Sequence, residues 1–402
     1  MAIITDAGLP PYGNGTLARG IRSRSVGNIN GLTVHVLESG YETPGRPAVL
    51  LLHGFPELAY SWRKVMLPLA AAGYHVIAPD RRGFGRTTGW DDAYDADLDS
   101  FSTHNMALDA LALVFACGLR SVAAVVGHDA GSPVAAWCAL LRPDVFRSVV
   151  MMSAPFAGPP ALPFNTAEQA QGPGTTETPP GADIDAQLAA LERPRKYYMR
   201  YFCTREANAN MLNAPQGLHA FLRAYYHYKG ADWKLNKPFP LKARTADELA
   251  KMPTYYVMEL DSGMAETVAR EMPSAAEIAA CHWLTEDELR VYSTEYGRTG
   301  FQGGLQAYRC LYDAKQIAEL QLFSDRTVDV PSCFIAGESD WGVYQTPGAA
   351  EKMRDGVCTR MTGLHLVSGA GHWVQQEQAE KVCALLIRFL QDQTRWPNHA
   401  PA

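Results

Sequence analysis

The five residues from Gly127 to Gly131, GHDAG, have the residue types and the setting of a nucleophilic site. They follow the apolar run SVAAVV, which predicts a buried strand, and they lead directly into SPVAAWCALL, which predicts a helix. A turn of the form glycine-x-nucleophile-x-glycine between a strand and a helix projects its central side chain above the sheet. The central residue here is Asp129. The sequence therefore predicts a carboxylate nucleophile at a helix N-terminus, where the helix dipole favours negative charge.

A carboxylate nucleophile restricts the chemistry of this turn. Attack by Asp129 on an sp³ carbon would displace a leaving group and give an alkyl ester of the enzyme. Attack on an ordinary ester carbonyl would give only a labile anhydride. Epoxides and alkyl halides are therefore the predicted substrate classes. The structural alternative is that Gly-x-Asp-x-Gly is a common loop sequence in which the aspartate caps the helix.

Several motifs together resemble one family. The sequence is similar to the Asp-nucleophile branch of the α/β-hydrolases, and most of all to the soluble epoxide hydrolases, at GHDAG, at HGFPE (53–57), at DRRGFG (80–85) and at GHW (371–373). The resemblance covers about residues 30–160 and 290–390. It implies an α/β-hydrolase fold, in which a mostly parallel, doubly wound sheet carries a helical cap domain inserted in the chain.

The resemblance also implies a base and an acid. An ester on Asp129 must be hydrolysed by a water, which needs a base and a carboxylate that orients the base. In the chain order nucleophile, acid, base, the base is His372, after LHLVSGAG, and the acid is Asp340 in CFIAGESDWG. Glu338 is the alternative acid in the same stretch. His128, next to the nucleophile, is expected to be structural.

Two backbone N–H groups are expected to form the oxyanion hole. In this fold one follows the nucleophile and the other comes from an early loop. The resemblance assigns them to Ala130 and to Phe55 in HGFPE, because Pro56 has no N–H. Phe55, Pro56 and Trp341 are also expected to contact the substrate.

An opening epoxide needs a proton donor for its oxygen, and a phenol can supply one. In soluble epoxide hydrolases two tyrosines of the cap share this task. The family pattern Tyr-x-x-Tyr-Phe fits residues 198–202 and implies Tyr198, with the adjacent Tyr197 as an alternative. The pattern Gly-Phe-x-Gly-x-Leu-x-x-Tyr-Arg fits residues 300–309 and implies Tyr308.

Three functions compete for this site. The first is an epoxide hydrolase, which forms a vicinal diol and needs neither a metal nor an organic cofactor. The second is a dehalogenase of haloacids or haloalkanes with the same nucleophile. Haloalkane dehalogenases carry a tryptophan just after the nucleophile and fluoroacetate dehalogenases carry arginines near it, whereas residues 130–133 are Ala-Gly-Ser-Pro. The third is a binding protein without turnover, which the presence of Asp129, Asp340 and His372 disfavours.

The elements that must position these residues alternate between strands and helices. Apolar runs predict strands at 32–39, 48–54, 74–80, 121–127, 148–156, 332–338 and 364–371. Helical spacing predicts helices at 61–73, 104–118, 132–143 and 380–393. Such alternation predicts a parallel sheet with helices on both faces.

The alternation stops near residue 157, where a segment rich in proline and glycine is followed by mainly helical patterns. We therefore predict an irregular N-terminal leader at 1–25, a core domain formed by 26–156 and 322–402, and a mainly helical cap domain at 157–321.

Composition excludes several other classes of protein. The chain has 402 residues, of which 47% are hydrophobic, and this predicts a folded globule. A net charge of −6 with scattered basic residues argues against nucleic-acid binding. No signal peptide and no run of about 18 apolar residues is recognised, so a cytoplasmic protein without membrane attachment is expected. The expected partners are a small epoxide and water, and assembly into a homo-oligomer stays open.

Overall fold

The computed structural model describes residues 8–163 and 182–394 of the chain. Its strands are β1 (Arg22–Ile29), β2 (Leu32–Ser39), β3 (Ala48–Leu52), β4 (His75–Pro79), β5 (Ala124–His128), β6 (Val149–Met152), β7 (Arg195–Tyr197), β8 (Val257–Glu259), β9 (Ser332–Gly337) and β10 (Met361–Val367).

Within the described residues, eight strands form one sheet in the order β1-β2-β4-β3-β5-β6-β9-β10. β2 pairs antiparallel with β1 and with β4, and the pairs from β4 to β10 are parallel. The parallel sheet predicted from the alternation of strands and helices is confirmed, and it is mostly rather than wholly parallel. Because parallel strands end at the same edge, the residues that follow β3, β5 and β9 meet there.

The helices are α1 (Arg63–Ala71), α2 (Thr103–Ala116), α3 (Gly131–Leu141), α4 (Ala182–Ala189), α5 (Tyr198–Phe202), α6 (Glu206–Leu212), α7 (Leu218–Lys229), α8 (Ala246–Leu249), α9 (Met264–Ala269), α10 (Ala275–Ala280), α11 (Glu286–Thr299), α12 (Gln302–Cys310), α13 (Ala314–Gln321), α14 (Ala349–Lys352), α15 (Val374–Glu377) and α16 (Ala379–Thr394).

The central strands are buried on both faces. Along β3, Val49 and Leu51 belong to one hydrophobic core, whereas Leu50 and Leu52 belong to a second core on the opposite face. Helices α1 and α16 pack against each other on the first side, and α2 and α3 pack against each other on the second. Burial on both faces explains why these strands are continuous apolar runs rather than alternating ones.

The segment between β6 and β9 carries α4 to α13 and a separate antiparallel pair of β7 and β8. We call residues 157–321 the insertion. The helical character predicted for it agrees with these elements, while its separation as a cap domain stays a prediction. Residues 164–181 of the predicted cap lie outside the described residues.

The predicted leader needs one correction. Strand β1 begins at Arg22 and so includes residues 22–25, which the sequence patterns assigned to an irregular leader. Its sequence, RSRSVGNI, is mostly polar because β1 is the edge strand and has a solvent-facing side, so it shows no apolar run. Across residues 8–163 and 182–394, no helix combines the length and the apolar character needed to cross a membrane.

Candidate active site

The turn between β5 and α3 holds Asp129 in an unusual backbone conformation. Its φ is +51°, in the left-handed region that a residue with a side chain seldom adopts. A Cβ atom on Gly127 would lie 2.1 Å from the carbonyl oxygen of Gly131, and one on Gly131 would lie 2.3 Å from that of Leu52. Only glycine fits at these two positions, as the predicted turn requires.

The Asp129 carboxylate is held by two groups. Its Oδ1 accepts a hydrogen bond from the backbone N–H of Phe55 at 2.9 Å, and its Oδ2 lies 3.2 Å from Nε2 of His372. The residue is only 7% exposed. Burial alone would raise the pKa of Asp129, but the His372 ring and the positive charge of Lys229 hold that pKa well below its usual range.

His372 stands between two carboxylates. Its Nδ1 lies 3.0 Å from Oδ1 of Asp340, and that oxygen also accepts the N–H of Gly342 at 2.8 Å. Nε2 faces Asp129 within ion-pair distance but is not aligned for a hydrogen bond, so among the described residues it is left without a hydrogen-bond partner. Burial and Lys229 lower the pKa of His372, yet the two carboxylates outweigh them and raise it.

One of the two predicted oxyanion donors contacts this carboxylate, because the N–H of Phe55 donates to Asp129. Ala130 follows Asp129 and precedes the first residue of α3, where backbone N–H groups have no partner within the helix, and its role as a donor stays a prediction. The loop with Phe55 passes so close that a Cβ on Gly54 would lie 2.4 Å from Cβ of Asp129. The peptide bond from Phe55 to Pro56 is cis.

Tyr198 and Tyr308 are brought together on the insertion side. Their ring centroids are 6.3 Å apart, and the Tyr308 ring lies 5.6 Å from the ring of Phe55. Burial, and with it the negative charge of Asp129, raises the pKa of Tyr308 well above its ordinary value. Burial first, and then neighbouring phenols and Asp129, raise the pKa of Tyr198 in the same way. Both phenols therefore carry their protons at neutral pH.

The two hydroxyl groups differ in their partners. Tyr198 donates to Oε1 of Gln345 at 3.2 Å, and Tyr197 donates to the same oxygen at 3.3 Å. No hydrogen-bond partner for the Tyr308 hydroxyl is found within residues 8–163 and 182–394. Tyr197 lies beside Arg244, whose guanidinium carbon is 5.7 Å from its ring centroid, whereas Tyr198 faces Tyr308. The geometry thus favours Tyr198 over Tyr197.

The other two residues expected to contact the substrate lie in the walls of this region. The carbonyl oxygen of Pro56 accepts the Tyr226 hydroxyl at 2.9 Å. Trp341 follows Asp340 and packs on Phe239, with ring centroids 5.0 Å apart, and its indole N–H has no partner in the described chain. Their contact with a substrate stays a prediction.

His128 is structural, as expected, and works with a residue that the sequence analysis did not single out. Its Nδ1 lies 2.5 Å from Oε2 of Glu57, while Nε2 lies 2.7 Å from the backbone oxygen of His372 and 3.1 Å from Oγ of Ser153. Glu57 is the last residue of HGFPE, so this motif was the sequence feature that could have pointed to it. This buried pair fixes the backbone that carries the base.

Glu377 is a second missed residue. It is buried, and its carboxylate accepts the backbone N–H groups of Ala231, Gly371 and Trp373 at 2.8, 2.9 and 2.9 Å. Burial raises the pKa of Glu377 to about 7, against the pull of these three donors. The carboxylate binds the loop around His372 to the chain that follows α7.

A metal is not implied by this arrangement. In the described ranges, no cluster of three or more histidine, cysteine, aspartate or glutamate side chains is placed to hold a metal ion.

Comparison with known proteins identifies the family. The family model described as "alpha/beta hydrolase fold" matches residues 47–379. Epoxide hydrolase A of Mycobacterium tuberculosis is 31% identical over 369 residues, which cover 90% of this chain and 95% of that protein. The chain belongs to the α/β-hydrolase family, in its epoxide hydrolase branch. The resemblance indicated by the sequence motifs is confirmed.

Solved structures agree with this placement. An epoxide hydrolase from an endophytic Streptomyces superposes with a TM-score of 0.72 at 28% identity, covering 94% of this chain and 97% of that one. Epoxide hydrolase A from Mycobacterium thermoresistibile gives a TM-score of 0.69 at 29% identity, covering 92% and 98%.

Proposed function

We propose that this hydrolase opens epoxides to vicinal diols through a covalent ester on Asp129. The observation that carries the proposal is the position of one carboxylate, which contacts a backbone donor and the His372–Asp340 pair and whose charge acts on two neighbouring phenols. The names of the relatives support the same substrate class.

Ring opening uses the two oxygens of Asp129 differently. Oδ1 already accepts the Phe55 N–H, which is the position of an ester carbonyl oxygen, so Oδ2 is the attacking atom. Oδ2 forms a bond to an epoxide carbon while the bond from that carbon to the ring oxygen breaks. The electron pair moves to the ring oxygen, which takes a proton from Tyr308 or Tyr198.

Hydrolysis of the ester then uses His372. Nε2 takes a proton from a water, and the hydroxide attacks the carboxyl carbon of Asp129. The N–H groups of Phe55 and Ala130 stabilise the charge on Oδ1 in the tetrahedral intermediate. In the collapse the bond from the carboxyl carbon to Oδ2 breaks, and Oδ2 leaves as part of the diol with the proton of the imidazolium, while the oxygen of the water stays on Asp129. The second proton of the water passes to the tyrosinate, so the imidazole, the phenol and the Asp129 carboxylate are restored.

The decisive experiment traps the ester. The variant His372→Gln, mixed with styrene oxide, should gain the mass of one epoxide per chain, on the peptide that contains Asp129. The variant Asp129→Ala is the control and should gain none. In heavy-oxygen water, a single turnover of the unaltered enzyme should label Asp129 and leave the diol unlabelled.

Other results would contradict the proposal. Label in the first-turnover diol would mean that water attacks the epoxide directly. Halide release from haloalkanes or haloacids, with no reaction on epoxides, would establish the dehalogenase alternative. An unmodified His372→Gln variant would favour a binding protein.

A further inference from the structure

Lys229, at the end of α7, is a buried cation inside a box of aromatic rings. The residue is 3% exposed. Its Nζ lies above four rings at centroid distances of 4.9 Å for Tyr256, 5.5 Å for Trp373, 5.6 Å for Tyr225 and 5.9 Å for Tyr255. No carboxylate within the described residues comes close enough to form an ion pair with it. A lysine that is almost fully buried without such a partner is rare and calls for a physical explanation.

The aromatic rings and nearby carboxylates oppose the effect of burial on Lys229. Burial lowers the pKa of Lys229 on balance, although the negative charges of Asp129, Asp340 and Glu57 act in the opposite direction. The faces of aromatic rings attract an ammonium group, most strongly when it is desolvated. The ionisable groups around Lys229 are those three carboxyl groups, the imidazole of His372 and the phenols of Tyr225, Tyr255 and Tyr256.

The backbone fixes this ammonium group relative to the base. The N–H of His372 donates to the carbonyl oxygen of Lys229 at 3.0 Å. Trp373, the next residue, forms one wall of the aromatic box. A Cβ on Gly371 would lie 2.7 Å from the same carbonyl oxygen, so the two chain segments are in close contact.

The charges around His372 determine how Lys229 can affect the protonation of its imidazole. Asp129 and Asp340 flank the ring on its two nitrogen sides, and the His128 ring lies 5.1 Å away between centroids. In the free enzyme both carboxylates favour the imidazolium form, which cannot accept a proton from water. In the ester intermediate Asp129 is uncharged, so Asp340 alone favours that form. A positive charge near the site, but out of hydrogen-bonding contact, opposes Asp340 without blocking Nε2.

We propose that Lys229 is a positioning residue of the site and acts through His372: in the ester intermediate, where Asp129 carries no charge, the buried positive charge of Lys229 offsets that of Asp340 and increases the neutral fraction of the imidazole that can accept a proton from the hydrolytic water. This inference rests on the proposed function, because only hydrolysis of an ester needs such a base. It concerns the second chemical step and leaves the identity of the epoxide open.

The test is the pH dependence of ester hydrolysis in Lys229→Met. Enzyme in excess is mixed with styrene oxide, and decay of the trapped ester is followed by rapid quenching and intact-protein mass spectrometry. In a plot of the rate of ester hydrolysis against pH, the fall on the acidic side (the acidic limb) should move to a higher pH by about one unit. One unit charge within roughly 10 Å causes a shift of this size at the effective dielectric of such a site. Below that limb the variant should be about tenfold slower, while on the alkaline plateau the rates should converge.

Two controls separate charge from structure. Lys229→Arg keeps the charge, so its acidic limb should lie at the same pH as that of the unaltered enzyme. Lys234→Met removes an equal charge shortly after α7 and should leave the limb where it is. Lys229→Gln replaces the Met variant if the latter does not fold. An unmoved limb in a folded neutral variant overturns the inference. Absence of any ester in the unaltered enzyme would instead overturn the proposed function, so the two failures are distinct.

Discussion

Replacement of the two phenols by phenylalanine should separate their roles, because their hydroxyl groups have different partners. Tyr308 is 6% exposed and its hydroxyl has no hydrogen-bond partner in the described chain, whereas that of Tyr198 donates to Gln345 at 3.2 Å. Tyr308→Phe removes a hydroxyl that bonds to no protein group and should leave the free energy of unfolding unchanged or raise it by up to about 1 kcal/mol. Tyr198→Phe removes a neutral hydrogen bond and should lower it by about 1 kcal/mol. Gln345 still accepts from Tyr197 at 3.3 Å, which keeps this loss small.

The rate of ring opening should fall more in Tyr308→Phe than in Tyr198→Phe, which is the reverse of the order expected for stability. A hydrogen bond to a developing alkoxide contributes about 2 to 4 kcal/mol, or a factor of roughly 30 to 1000 in rate. Tyr308 can bond to the alkoxide without breaking another hydrogen bond, so the loss in the rate of ring opening in Tyr308→Phe should lie near the upper end of this range. Tyr198 must first leave Gln345, so its net gain is smaller and Tyr198→Phe should lose roughly tenfold to a hundredfold.

Both quantities can be measured in one background. With His372→Gln present, the rate of ester formation from styrene oxide reports ring opening alone, and urea unfolding followed by circular dichroism reports stability. If Tyr308→Phe forms the ester at a rate within twofold of that of the His372→Gln parent, the assignment of this phenol as a proton donor is refuted. A larger loss in Tyr198→Phe than in Tyr308→Phe would refute the reasoning from partners.

Two further predictions follow from the same geometry. In Asp340→Asn the amide cannot hold His372 in the required tautomer, so ester hydrolysis should slow by about 1000- to 10,000-fold while ring opening changes little; equal loss of both phases in single-turnover kinetics would argue against this role. In Gly54→Ala the new Cβ would lie 2.4 Å from Cβ of Asp129. We therefore expect the free energy of unfolding in urea to fall by about 1 to 3 kcal/mol and ester formation to slow. Unaltered kinetics would show that the loop moves without displacing the nucleophile.

The parallel strands could be predicted from the sequence because burial on both faces selects a continuous apolar run. Among them, β3, β4 and β9 begin within one residue of the predicted start. The antiparallel β2 has the predicted bounds, 32–39. The strand of this sheet that was missed, β1, lies at its edge, where polar residues face outward and no periodic signal remains.

Sequence reasoning singled out site residues whose chemistry a motif explains, and it missed residues whose role depends on tertiary contacts, including Glu57 inside HGFPE. Asp129, Asp340 and His372 each stand in a short motif with a local physical reason. Lys229 stands in a helical stretch where a lysine normally indicates a solvated face, and its aromatic box comes from three separate segments of chain. No local pattern brings these segments together, so only the fold reveals them.

The three bonds accepted by Glu377 fix the loop that carries the base. They join Ala231, just after α7, to Gly371 and Trp373 on either side of His372. The hydroxyl of Tyr198, by contrast, shares Oε1 of Gln345 with Tyr197. The base is thus held by main-chain bonds and the phenolic proton by one exchangeable side-chain bond, so a substrate oxygen can replace Gln345 without displacing the base.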